Sequence, residues 1–213
     1  MKIFKKLIIL TFSVILLLNC QKEKELDEII SLSNLEKISQ QNKSFFDKLE
    51  GLKGETQNED FNLKLKQIVI DYEKSNIAIA KFSKKQETIT LLQEEILKKY
   101  FEGLDNHKSK IDFANSYLLQ VQNLNINEKD KLSCLNAIDF HKNLMIYVDY
   151  NNSKNNTQVQ AERGCAHRGC MDCCMYRKAQ DLSNSNFFDK AMFILTAASS
   201  TAQWFGSCGW DCI

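Results

Sequence analysis

The sequence predicts an all-α protein: an antiparallel helical bundle or long helical hairpin, followed by a small cysteine-rich helical hairpin. Three observations carry that expectation. None of the 213 residues is proline, where ordinary usage of roughly 5% would supply about ten, so nothing interrupts long helices. Apolar residues recur every three or four positions through most of the chain, the period of one helix face. No stretch alternates apolar and polar residues between turn dipeptides, as paired strands would.

Composition divides the chain. Up to about residue 160 it is built from Lys, Glu, Asn, Leu and Ile. After that it holds six of the eight cysteines (Cys165, Cys170, Cys173, Cys174, Cys208, Cys212), both tryptophans (Trp204, Trp210) and all three arginines (Arg163, Arg168, Arg177). The polar run Asn151 to Thr157 has no periodicity and marks the boundary. The expected organisation is a leader over 1–19, a tether over 20–25, a helical body over 26–150 and a cysteine-rich module over 158–213.

The leader opens with Lys2, Lys5 and Lys6 and continues with the twelve-residue apolar run Leu7 to Leu18. About 20 residues are needed to span a bilayer, so the run fits the core of a signal peptide. Leu17-Leu18-Asn19-Cys20 then resembles the lipobox of bacterial lipoproteins, with Asn19 where a small residue is usual. The resemblance implies that Cys20 receives a diacylglycerol and becomes the mature N-terminus. It also implies a bacterial cell-envelope location, anchored by lipid in the outer membrane on its periplasmic or external side. Several acyl chains on one residue hold stably, where one chain is marginal. The next residues, Gln21-Lys22-Glu23-Lys24-Glu25, resemble the charged tether that sends lipoproteins of the Bacteroidota to the cell surface; they read equally as a solvated linker.

Charge excludes one class of partner. The 28 basic residues fall to 25 without the three leader lysines, against 27 acidic ones. The mature chain is close to neutral, and no basic field argues for nucleic acid.

The helices follow in order. Leu26, Ile29, Leu32, Leu35, Ile38, Phe45, Leu49 and Leu52 trace the first, and Gly51 to Asn58 form a turn in which Asn58 can cap the next helix. Phe61, Leu65, Ile68, Tyr72, Ile79, Phe82, Ile89, Leu92, Ile96 and Tyr100 trace one drifting stripe. Unbroken, it would make a helix about 60 Å long at 1.5 Å per residue. Ile111, Ala114, Leu118 and Val121 give a shorter third helix. A fourth starts at Asn127-Glu128 and carries Cys134, Ile138, His141, Met145 and Val148. Cys134 and His141 share its core face, where a free cysteine behaves as a small hydrophobe. His107 falls in a solvated loop. The module reads as a helix from Cys170 to Leu182, a turn at Ser183 to Asn186, and one helix from Phe187 to Phe205. That last helix has Phe188, Ala191, Leu195, Ala198 and Ala202 on one face.

Three chemistries fit the six terminal cysteines. An even cysteine set in an exported chain reads first as a disulfide framework. A hairpin turning near residues 184 and 185 would place residue 165 opposite residue 204, one turn from Cys208. The glycine-rich tail, too short to be held by packing alone, would be tied by Cys208 and Cys212 to the Cys165–Cys174 cluster. The second chemistry is a zinc or copper site from Cys170, Cys173, Cys208 and Cys212 with His167 nearby. The third is thiol–disulfide exchange at Cys170-Met171-Asp172-Cys173, although the βαβ setting of that motif is missing. No phosphate loop, nucleophile elbow or H-E-x-x-H motif is present. No catalytic residue or cofactor is indicated, and an enzyme is not expected. The sequence points instead to an interaction protein, with Trp210, Arg168 and Phe205 as contact candidates and Trp204 capping the module's small core. Aromatic residues and Arg dominate binding hot spots.

Overall fold

The computed structural model describes residues 34–53, 59–76, 89–148 and 170–210. Among these the chain is all-α, with eight helices and no strand. They are α1 (34–51), α2 (Glu59–Ser75), α3 (Leu91–Asn106), α4 (Lys110–Gln122), α5 (Glu128–Tyr147), α6 (Cys170–Asn184), α7 (Phe187–Leu195) and α8 (Ala197–Trp210). The leader, the tether, Leu26, Ile29, Leu32, Asn58, the boundary at 151–157 and the cysteines at 20, 165 and 212 lie outside the described residues. So do His167, Arg168 and the side chains of Leu195 and Trp210. No described helix is long and apolar enough to cross a membrane.

Side chains at the helix starts punctuate the chain. Thr90 takes an extended backbone (φ −71°, ψ 153°) and accepts from the Gln93 amide, while the Gln93 side chain reaches back to the Thr90 N–H. This reciprocal box satisfies two amides that would otherwise lack partners. It also corrects the expected second helix. The stripe from Phe61 to Tyr100 is not one rod: α2 stops at Ser75 and α3 starts afresh after Thr90. The architecture is therefore a bundle of short helices and not a long hairpin. Ser109 caps α4, and Asn127 caps α5 by accepting from the Asp130 amide at 2.9 Å.

A second correction falls in the module. The helix from Phe187 to Phe205 is divided at Thr196 (φ −101°, ψ 23°), whose hydroxyl donates to the Met192 carbonyl at 2.8 Å and ends α7. With the direction changed there, Phe188 is left 64% exposed while Ala191, Ala198 and Ala202 are buried.

One continuous apolar core runs through body and module. Ile38, Phe45, Phe46 and Leu49 of α1 and Leu52 just past it belong to this core, where the Phe45 and Phe46 rings meet Phe140 of α5, with Phe46 and Phe140 ring centres 4.9 Å apart, and Phe46 also meets Tyr147. Tyr100 of α3, fully buried, is ringed by Phe101, Phe113, Tyr117 and His141. Gly103 leaves room for the Phe113 ring: a Cβ there would sit 2.0 Å from the ring's Cζ, so any larger residue would make that ring move. The module packs back on the body through α7 against α3 and α5, and through α8 against α2 and α5. Phe205 stacks on Phe61 at 6.1 Å, and Gly206 lies against Leu65. The segment from Gly206 to Trp210 is thus helical and held by packing as well as by its disulfide, beyond the tethering expected of it.

Candidate functional site

The cysteine module is the first candidate. A disulfide joins Cys174 of α6 to Cys208 of α8, with Cα atoms 5.5 Å apart. Cys170 and Cys173 are disulfide-bonded too. The bond from Cys208 into the Cys165–Cys174 cluster agrees with the cross-hairpin tie; the tie of Cys212 lies outside the described residues. The register differs from the simple hairpin. The bonded pair is centred inside α7 and not at residues 184 and 185, because α7 turns away to cover α3 and α5 before α8 returns to α6. A sulfur in a disulfide has no thiolate to offer a metal. That bears on Cys170, Cys173 and Cys208 of the zinc or copper set. No group of three or more His, Cys, Asp or Glu side chains among the described residues is placed to hold a metal ion.

Lys53, just past α1, clasps the start of α6. Its ammonium lies 2.6 Å from Asp172 and 2.5 Å from Glu50, and 4.6 Å from the centre of the Tyr147 ring. Of the proposed contact residues, Phe205 is fully buried and belongs to the core. Trp204 is half-buried and stacks on Phe193 at 4.2 Å, the capping role expected of it.

The second candidate was not legible beforehand: a buried polar network between α1, α2 and α5. Asp139 has no exposed surface, yet its carboxylate accepts from Asn42 at 2.8 Å, Asn143 at 2.9 Å and Lys142 at 2.5 Å. Asn42 accepts in turn from the Tyr72 hydroxyl at 2.6 Å, and Asn136 accepts from Asn76 at 2.8 Å. Burial pushes the Tyr72 hydroxyl well above its ordinary range, so it stays a donor. One signal was available. Asn42 continues the Ile38, Phe45, Leu49 stripe at core spacing, where an amide must find buried partners. Beside the network, α1 and α2 border an open cleft of about 340 Å³ lined by Gln40, Gln41, Ser44, Lys48, Ile68 and Tyr72.

His141 and Cys134, the two reactive side chains of the body, are structural. Cys134 is free and buried, and burial pushes its thiol up to about 12. His141 shares a hydrogen bond of 3.0 Å with the Tyr100 hydroxyl. Desolvation, then the ammonium groups of Lys190 and Lys110, lower its pKa from 6.5 to about 4. The folded state therefore binds fewer protons than the unfolded one between these values. The stability His141 contributes is full above pH 6.5 and is lost as pH falls towards 4. At 1.36 kcal/mol per unit the loss approaches about 3 kcal/mol. Urea midpoints for wild type and His141→Gln should diverge at pH 7 and converge towards pH 4. Parallel curves across that window would show that His141 keeps its ordinary pKa in the fold. His107 caps α3 from the surface and stacks on Phe113 at 4.4 Å.

Compared with known proteins, no family model matches the chain, and no curated protein or solved structure shows significant similarity to it.

Proposed function

We infer that this is an exported, lipid-anchored protein of the bacterial cell envelope, whose disulfide-stapled helical domain serves binding and not catalysis. The Cys174–Cys208 disulfide carries the reading. Such bonds persist where the compartment is oxidising, which agrees with the lipobox at Leu17 to Cys20. A covalently braced bundle on a lipid tether suits a surface that must stay folded while it meets a partner. Trp210 and Arg168 remain contact candidates. Phe188, exposed at the start of α7, joins them in place of the buried Phe205.

The test has two arms. Radiolabelled palmitate should label the wild type and not Cys20→Ser, which should leave the membrane fraction. A photo-crosslinking residue substituted for Phe188 should trap an envelope protein in cells carrying the anchored form. Palmitate on Cys20→Ser would overturn the anchor; absence of any adduct from positions 188 and 210 would overturn the binding role.

A further inference from the structure

Helices α3, α4 and α5 bring three exposed leucines to one end of the body. Thr90 and Gln93, at the start of α3, both donate to Asp130 at the start of α5, at 3.2 and 2.8 Å. The short connection 123–127 joins the end of α4 to that same start. Leu91 opens α3, Leu119 lies near the end of α4 and Leu124 lies in the connection; they are 86, 53 and 38% exposed. We propose that this end of the body rests on the lipid bilayer, with Leu91, Leu119 and Leu124 entering its headgroup region. The inference rests on the reading of Cys20 as the lipid anchor.

The route of the chain is the first argument. α1 runs parallel to α5: Asn42 bonds Asp139, Phe46 lies against Phe140, and Lys53 lies over Tyr147. With that offset of about 95 positions, residue 34, where α1 begins, comes level with Lys129 at the start of α5. The chain therefore enters the bundle at the leucine end. Cys20 stands fourteen positions before residue 34, a reach of at most about 50 Å. A tether that short keeps the bilayer at high effective concentration beside this end, so weak contacts suffice.

Chemistry is the second argument. Apolar side chains left in water gain by entering the boundary between headgroups and acyl chains. The connection 123–127 carries no charge, and near the leucines Glu94 and Glu128 are matched by Lys129 and Lys131. The bilayer is thus met by apolar insertion and not through headgroup charge. Orientation is the third. Phe187, the neighbour of exposed Phe188, meets Phe101, which lies about 15 Å along α3 from Leu91. Docking by the leucines leaves Phe188 to a protein partner.

The test uses the acylated protein in phosphatidylcholine vesicles, with an environment-sensitive fluorophore at Leu124→Cys or, near the other end of α5, at Ile146→Cys. Labelling the native protein spares Cys134, which is buried. Nitroxide-bearing lipid should quench the probe at 124 at least about threefold more than the probe at 146, the contrast between an inserted and a solvated apolar position. A probe at Leu119→Cys should be quenched likewise, and should fall to the level of 146 once Leu91 and Leu124 are both serine. Near-ultraviolet circular dichroism checks that these surface variants keep the fold. Equal quenching at 124 and 146, with the protein still on the vesicles, would overturn the docking and leave the anchor standing. Quenching at 124 that arises only when anionic lipid is added would overturn apolar insertion. A protein that leaves the vesicles and carries no acyl mass on Cys20 would overturn the anchor, and the docking with it.

Discussion

Replacing Asp139 with alanine should lower the unfolding free energy by about 3–5 kcal/mol, the cost of breaking a buried ion pair from one side. The carboxylate is fully buried and gathers Lys142, Asn42 and Asn143. Without it, two amide donors and an ammonium 13% exposed lose their acceptor. Asn42 also holds Tyr72, so the loss spreads from α5 to α1 and α2. Replacing Asn42 with leucine should cost less, because Lys142 and Asn143 keep the carboxylate. Urea unfolding of the two variants measures the difference. An Asp139→Ala change below about 1 kcal/mol, the size of a surface pair, would mean that water reaches the carboxylate.

Removing the Cys174–Cys208 bond through the double variant Cys174→Ala, Cys208→Ala should cost about 3–4 kcal/mol. The bond closes a loop across 34 positions, and chain entropy in the unfolded state sets that scale. The effect should not stay local. Cys208 is fully buried beside Phe205, which stacks on Phe61, so a loosened α8 exposes α2. Guanidinium unfolding without reductant is the measurement. A midpoint matching that of the wild type would show that packing alone holds α8.

What could be read from the sequence follows from where the physics is local. The stripe Cys134, Ile138, Met145 and Val148 reports α5 because burial and helical period coincide there. Asn127 and Asn186 mark their helix starts because their side chains cap by neighbouring contacts. The break between α2 and α3 was hidden because Phe61 to Tyr100 keeps core spacing straight through it; Thr90 and Gln93 carried the only sign. Thr196 divides α7 from α8 by bonding backward to Met192, which a hydroxyl among alanines and serines does not advertise. Asn42 and Asp139 read as ordinary polar positions because their partners lie up to 97 residues away. Phe205 read as a contact residue because its place against Phe61 depends on α2, more than a hundred positions earlier.

The central claim is an exported, lipid-anchored chain whose terminal cysteines are oxidised around a shared core. The most direct test is intact mass after extraction from membranes, denaturation and alkylation without reductant. Of the eight cysteines, Cys20 should carry acyl chains, the six of the module should be paired, and Cys134 alone should take the label. The account predicts a chain beginning at acylated Cys20 with one adduct. An unprocessed leader, or adducts on Cys174 and Cys208, would contradict it.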